Sequence, residues 1–173
     1  MSAAAVPGLL SLDAFSPEAR ALIETLAAQR PAASALWLVG GAVRDALLGA
    51  APRELDLVVP AGALDLGRAL AARAGAAFVT LDADRGVGRV MGPVRMDLAD
   101  FRAPTLEGDL AARDFTVNAL AVPVAALAAT GRAPVTDPTG GLADLAAGRV
   151  RLCAPDALGD DPVRILRAAR LAV

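Results

Sequence analysis

Along the 173-residue chain, segments whose apolar residues recur at helical spacing alternate with short continuous apolar runs. A helix is predicted to begin at Ser16-Pro17-Glu18, because a hydroxyl N-cap, a proline at the first helical position and an acidic residue favour a helix start. It ends at Arg30-Pro31, since proline interrupts helical hydrogen bonding. The same spacing predicts further helical segments at Ala42–Leu48, Leu64–Ala74, Leu106–Ala112 and, as a single turn, Leu142–Ala147. It returns at Asp161 without a stop signal, so we expect that helix to continue beyond residue 173.

Short apolar runs bounded by glycine, proline or charged residues predict strands. These runs are Ala35–Val39, Leu55–Val59, Ala77–Leu81, Val87–Met91, Val94–Phe101, Asn118–Val124 and Val150–Cys153. Residues 1–10 are expected to be frayed. Short strands mixed with helices favour an α/β (α+β) domain.

The composition excludes several kinds of catalytic site from this chain. It contains no His, Lys or Tyr, no Ser beyond Ser34 and a single cysteine, Cys153. A Ser–His or Cys–His pair, a Schiff-base lysine and a His-built zinc site are therefore ruled out. Chemistry must rest on carboxylates, arginines and backbone N–H groups, with a hard metal ion that prefers oxygen ligands.

Charge and hydropathy narrow the setting. The net charge of −2 gives no bulk attraction to nucleic acid, so RNA would need a local patch or other parts of the protein. One cysteine cannot form an internal disulfide, which favours a reducing compartment. The first residues lack the features of a secretory signal, and the apolar stretch Ala119–Ala129 is too short to span a bilayer. We expect a cytoplasmic protein with no membrane partner.

Two glycines at the end of a predicted strand form the first candidate site. Gly40 and Gly41 lead into a helix, whose free N–H groups are placed to hold a phosphate, with Arg44 as a forked donor. The segment is neither a G-x-G-x-x-G pattern nor a Walker loop. Taken alone, the double glycine is typical of an ordinary tight turn.

Three carboxylates form the second candidate site. Glu54 and Asp56 are alternate residues of one predicted strand and share a face, opposite Leu55 and Leu57. Two neighbouring carboxylates repel each other and are stable together mainly with a cation between them. Asp97 completes a cluster of three if its strand lies beside this one. A solvated pair on an edge strand is the alternative.

Three further motifs are ambiguous individually. Arg113-Asp114 precedes the only Asn of the chain and also fits a salt pair at a helix end. Asp137–Leu145 is typical of a turn that caps a helix. On the last helix, Asp161, Arg164 and Arg167 share one face, which suits either recognition of a base edge or a simple ladder of ion pairs.

The order of these motifs closely resembles the class II tRNA nucleotidyltransferase/poly(A) polymerase family over roughly residues 35–173. The resemblance implies a polymerase-β-like nucleotidyltransferase head domain, with a mixed sheet flanked by helices, over residues 1–153. Residues 154–173 would begin a helical neck. The body and tail domains of such relatives would supply most of the RNA binding.

Site roles follow from the same resemblance. The triphosphate would be held by Gly40, Gly41 and Arg44, and Mg²⁺ by the catalytic acids Glu54, Asp56 and Asp97. Arg113 and Asp114 match the motif linked to ribose selection. Asp161 and Arg164 match the pair that reads the incoming base, with Arg167 beside them.

The implied reaction is metal-assisted attack of the tRNA 3′-hydroxyl on the α-phosphate of CTP, or of ATP, with release of pyrophosphate. Glu54, Ala112 and Asp160 replace residues that are usually Asp, Arg and Glu in the family. Only residues 103–105 separate Phe101-Arg102 from Leu106-Glu107, which resembles the CC-adding branch. A poly(A) polymerase, a nucleotide-binding but catalytically silent fragment, and a domain whose glycines and acids are only structural are the alternatives.

Overall fold

The computed structural model describes residue 6 and residues 8–29, 36–155 and 163–171. Its helices are α1 (Pro17–Gln29), α2 (Gly40–Leu47), α3 (Ala63–Ala74), α4 (Leu106–Ala111), α5 (Val124–Thr130), α6 (Gly141–Ala146) and α7 (Val163–Leu171). Its strands are β1 (Leu9–Ser11), β2 (Trp37–Val39), β3 (Glu54–Val59), β4 (Ala77–Asp82), β5 (Val87–Met91), β6 (Arg95–Asp100), β7 (Ala121–Pro123) and β8 (Arg132–Pro134).

A mixed sheet organises the described part of the chain. Its strand order is β4-β5-β6-β3-β2-β7. Strands β3 and β6 run parallel at its centre, and the other neighbouring pairs are antiparallel. Strands β1 and β8 form a separate antiparallel pair. The predicted α/β class with a mixed sheet and flanking helices is thereby confirmed.

Alternation along the central strands divides the sheet into two faces. Leu55 and Leu57 of β3 and Leu98 of β6 are almost fully buried in the main core. On the opposite face, Leu106 and Leu110 of α4 cover one end of the sheet in a smaller core. The rest of that second face carries the polar residues of β3 and β6.

The N-terminal segment is more ordered than its sequence suggested. We expected residues 1–10 to be frayed, but Leu9 and Leu10 belong to β1. Leu10 pairs with Ala133 of β8 and is only 1% exposed. Residues 1–5 and 7 lie outside the described part of the chain.

Of two predicted strands, one was wrong in extent and the other is absent. The run predicted as the strand Asn118–Val124 contains only the short strand β7, because Asn118 ends a 3-10 helical turn before it and Pro123 serves as the N-cap of α5 after it. Val150–Cys153 forms no strand. Its only ladder contact among the described residues is an isolated bridge between Leu152 and Phe115.

The prediction that Asp137 begins a turn capping a helix is confirmed. Its two carboxylate oxygens accept hydrogen bonds from the N–H groups of Gly141 and Leu142, at 2.7 and 2.9 Å. These bonds satisfy free N–H groups in the first turn of α6. The motif is therefore structural in this fold.

Buried Asp144 joins α6 to the segments around it, and Asp144→Ala should destabilise the protein. One of its oxygens accepts hydrogen bonds from Thr116 Oγ1 and Arg151 Nε, both at 2.7 Å. Truncation leaves the buried hydroxyl and the guanidinium without this acceptor, so we expect the free energy of unfolding to fall by about 2 kcal/mol. Urea denaturation measures the loss. Asp65→Ala, which removes an exposed pair with Arg68, should change stability by less than about 0.5 kcal/mol; equal effects would contradict the prediction.

Candidate active site

The double-glycine turn packs against the carboxylate of Asp56. Gly40 has a φ of +67°, and a Cβ there would lie 3.1 Å from Asp56 Oδ2 and 3.5 Å from Arg113 Nη1. A Cβ at Gly41 would lie 3.6 Å from the same oxygen and 3.5 Å from Arg44 Nη2. Glycine at position 40 is therefore required both by the left-handed backbone and by the close approach to Asp56.

Asp56 and Asp97 face each other across the two parallel central strands. The β3–β6 register pairs Asp56 with Asp97, and the β2–β3 register places Val39, just before the glycines, opposite Asp56. Burial raises the pKa of the Asp56 carboxyl, and the charge of Asp97 raises it further. The charge of Arg113 and backbone N–H groups of the turn lower it in part. Two carboxylates thus repel each other beside a turn whose Gly41 and Ala42 N–H groups face Asp56.

Two arginines of the sheet hold the other acids. Arg89 of β5 donates from Nε to Asp97 Oδ1 at 2.6 Å and from Nη2 to Asp97 Oδ2 at 2.7 Å. These hydrogen bonds raise the pKa of the Arg89 guanidinium. Arg95, which the register places opposite Glu54, forms an ion pair with it. Within the ranges that the structure describes, no three His, Cys, Asp or Glu side chains form a group that could hold a metal ion.

The donor chemistry nevertheless fits a divalent cation. Carboxylate oxygens on adjacent strands are ligands that Mg²⁺ prefers. The raised pKa of Asp56 shows that its ionised form lacks sufficient local compensation. A cation between Asp56 and Asp97 would supply that compensation.

Arg44 lies on α2 between the glycines and the segment that follows Arg113. Its Nε and Nη2 atoms donate to Asp45 Oδ1, and its Nη1 atom donates to Asn118 Oδ1 at 2.5 Å. These bonds orient the guanidinium beside Gly41. The side chain is mostly buried and is held in place before any ligand binds.

Arg113 is held in place by the carboxylate of Asp109 on α4. Asp109 is 1% exposed and accepts hydrogen bonds from Arg113 Nε and Nη2 and from the N–H of Arg102. The remaining Nη1 atom of Arg113 is directed toward Gly40. Arg113 thus lies beside the turn and Asp56.

Asp114 links this region to helix α7. The carboxylate is buried and accepts from the N–H of Phe115 at 2.8 Å and from Asn118 Nδ2 at 3.3 Å. Arg167 of α7 forms an ion pair with Asp114 Oδ2 at 3.0 Å. Burial lowers the pKa of the Arg102 guanidinium, and the charges of Arg113 and of Arg164, which lies on the same helix as Arg167, lower it further. Asp160 and Asp161 lie outside the described residues.

Several residues of this region were missed in the sequence. Arg89 alternates with Gly88 and Val90 in a predicted strand, so the side of the sheet on which it lies could be predicted. Its pairing with Asp97 could not, because that depends on the order of the strands. Asp109 and Arg113 have the i,i+4 spacing of a helical ion pair, which was a usable signal. Nothing local indicated that Asn118 orients Arg44.

Cys153 lies near Asp114, and we expect it to react slowly as a nucleophile. Burial raises the pKa of its thiol to about 11, with a further contribution from the charge of Asp114. Since only the thiolate reacts, alkylation of the folded protein below pH 9 should be about 100-fold slower than that of the urea-unfolded protein. Iodoacetamide labelling followed by mass spectrometry measures both rates. Equal rates would contradict the burial of this thiol.

Paired acids on adjacent parallel strands, beside a glycine turn that begins a helix, define a polymerase-β-like nucleotidyltransferase head domain. Comparison with known proteins agrees. The chain matches the family described as the poly(A) polymerase head domain over residues 36–151. It therefore belongs to that family.

Similar full-length proteins are tRNA nucleotidyltransferases. The chain is 46% identical over 139 residues to a CC-adding tRNA nucleotidyltransferase of Geobacter sulfurreducens, covering 79% of this chain and 31% of that protein. It is 46% identical over 134 residues to an A-adding tRNA nucleotidyltransferase of Deinococcus radiodurans, covering 77% and 29%. A Thermotoga maritima CCA-adding enzyme complexed with tRNA superimposes with a TM-score of 0.77 at 29% identity, covering 95% of this chain and 41% of that one. The chain spans about a third of the length of the two curated relatives.

Proposed function

We propose that the protein is a template-independent tRNA nucleotidyltransferase that adds C, as CC or within CCA, to the 3′ end of tRNA. The substrates are CTP and, where A is added, ATP. The observation that carries the proposal is the register of β3 and β6, which sets Asp56 beside Asp97 next to Gly40 and Gly41. Membership of the head-domain family and similarity to tRNA nucleotidyltransferases support it.

The acids of the central strands are assigned the metal. Glu54, Asp56 and Asp97 would hold Mg²⁺, because carboxylate oxygens are ligands that this ion prefers. Bound there, Mg²⁺ would supply Lewis-acid chemistry, lowering the pKa of a hydroxyl and stabilising negative charge on phosphate oxygens. On the open face of the sheet, Glu54 pairs with Arg95 and Asp97 pairs with Arg89.

Binding of the nucleotide is assigned to the residues around the turn. The triphosphate would lie against the turn at Gly40 and Gly41, where the absence of side chains lets it approach the backbone, and Arg44 adds its guanidinium beside the turn. Arg113 and Asp114 lie on the side where a ribose would follow. The base would be read by Asp161 and by Arg164 of α7. Arg167, on the same helix as Arg164, forms an ion pair with Asp114.

In the proposed reaction, the 3′-oxygen of the RNA forms a bond to the α-phosphorus while the bond to the pyrophosphate oxygen breaks. The hydroxyl proton leaves to solvent or to a nearby carboxylate. Arg44 and the backbone N–H groups of the turn stabilise the negative charge that moves onto pyrophosphate. No His or Lys is needed for these steps.

A short, well-anchored connection between β6 and α4 supports CC addition. Thr105 Oγ1 accepts from the N–H of Gly108, and Asp109 Oδ1 accepts from the N–H of Arg102, both at 3.1 Å. A connection this short, with a hydrogen bond at each end, has less freedom to move than the longer segment expected in CCA-adding relatives. We therefore propose that addition stops after two C residues.

Primer extension tests the proposal. The full-length protein is incubated with Mg²⁺, a tRNA lacking its CCA end, and CTP, ATP or both. Two added C residues, with no A, support the proposed activity. Efficient A addition after CC would overturn the CC assignment, and long A tails would favour the poly(A) polymerase alternative. CTP binding without any turnover, with no change in activity in the Asp56→Ala variant, would favour the nucleotide-binding but catalytically silent fragment.

The domain division and setting are part of the proposal. Residues 1–153 would form the head, and residues 154–173 would begin the neck. This division is supported by the family match, which ends at residue 151, and by the start of α7 at Val163. Most tRNA contacts then belong to further domains of the full-length protein. Among the described residues, no helix has the length and apolar character needed to cross a bilayer. We place the reaction in the cytoplasm, where its substrates occur.

A further inference from the structure

Three strands bring two acids and one arginine into a single row across the sheet. The β3–β6 register pairs Asp56 with Asp97, and the β5–β6 register pairs Asp97 with Arg89. Both oxygens of Asp97 are engaged by the same guanidinium, at 2.6 and 2.7 Å. The side chains of Arg89 and Asp97 are only 31% and 25% exposed, so water screens this ion pair less than it would screen a fully exposed one.

A two-point pair of this kind limits what else the carboxylate can bind. To accept a metal ion, Asp97 must give up at least one short, charge-assisted hydrogen bond. The positive charge of Arg89 also repels a cation placed between Asp56 and Asp97. Both effects weaken metal binding to the nucleotide-free protein.

We propose that Arg89 is a positioning residue that holds Asp97 away from divalent metal until a nucleotide arrives. A triphosphate bound at the glycine turn brings negative charge, which offsets the repulsion from Arg89. Metal and nucleotide therefore bind with positive coupling, each raising the affinity of the other. This inference rests on the proposed function, since it takes Asp56 and Asp97 to be metal ligands.

Mn²⁺ titration followed by electron paramagnetic resonance tests the inference without measuring activity. Wild type, Arg89→Met and Arg89→Lys are compared with and without CTP. Arg85→Met is the matched control, because Arg85 is highly exposed and lies outside the row. In the absence of CTP, Arg89→Met should bind Mn²⁺ about tenfold more tightly than wild type. Arg89→Lys, which keeps the charge but loses the planar fork, should fall between them.

The nucleotide dependence gives a second readout. CTP should tighten Mn²⁺ binding strongly in wild type and Arg85→Met, but at least threefold less strongly in Arg89→Met. Unchanged or weaker Mn²⁺ affinity in the Arg89 variants would overturn the inference, and Arg89→Lys decides the question if Arg89→Met does not fold. Asp56→Asn distinguishes a failure of the coupling through Arg89 from a failure of the proposed metal site. If wild type with CTP shows no Asp56-dependent Mn²⁺ binding, the proposed metal site itself fails, and the inference fails with it.

Discussion

Asp56→Asn should lower the rate of nucleotide addition by at least about 1000-fold while leaving the protein folded. The substitution removes a proposed metal ligand at the centre of the site. A metal held by such carboxylates would contact the reacting oxygens, so losing the ligand should slow the chemical step itself. The raised pKa of Asp56 shows that its charge is held against burial and against Asp97. A neutral amide of the same shape relieves that repulsion, so thermal stability should stay equal or rise.

Primer extension with CTP and differential scanning calorimetry check the two parts of this prediction. Asp84→Asn is the matched control, because Asp84 is exposed in the β4–β5 turn and should affect neither quantity. Asp56→Asn with more than a tenth of wild-type activity would contradict a role at the reacting centre. A large loss of stability would show that the carboxylate is instead a structural group.

Gly40→Ala should reduce activity about 100-fold and stability by about 1–2 kcal/mol. The stability loss follows from a φ of +67°, where a Cβ meets the following carbonyl. The activity loss has a separate cause, because the new Cβ would lie 3.1 Å from Asp56 Oδ2 and would displace the carboxylate.

Gly49→Ala separates strain from the effect on the site. Gly49 has a φ of +76° with no heavy atom within 4 Å of the added Cβ. It should show a similar stability loss in urea denaturation but retain wild-type activity. Equal activity of the two variants would mean that the turn does not shape the site.

The faces of the strands could be predicted from the sequence, but their partners could not. Alternation placed Glu54 and Asp56 opposite Leu55 and Leu57, and the burial pattern of β3 agrees. Whether Asp97 stands beside Asp56 depends on the parallel register of β3 and β6, which is set by tertiary packing. Local patterns contain no information on that choice.

The same limit explains the arginines that were missed. Arg89 meets Asp97 only because β5 pairs with β6, and Arg95 meets Glu54 only because β6 pairs with β3. By contrast, Asp109 and Arg113 are close in sequence, so their pair was within reach of spacing alone. Pro123 was also a usable local signal, because a proline often marks the end of a strand, and here it ends β7 and caps the start of α5.

Crystals of the protein grown with CTP and Mn²⁺, measured at the manganese absorption edge, show directly whether Asp56 and Asp97 hold the metal beside the glycine turn. We expect an anomalous peak between the carboxylates of Asp56 and Asp97, with the triphosphate against the turn at Gly40 and Gly41. In that complex at least one Asp97 oxygen should have left Arg89. A triphosphate bound elsewhere, or manganese that contacts neither aspartate, would contradict this expectation.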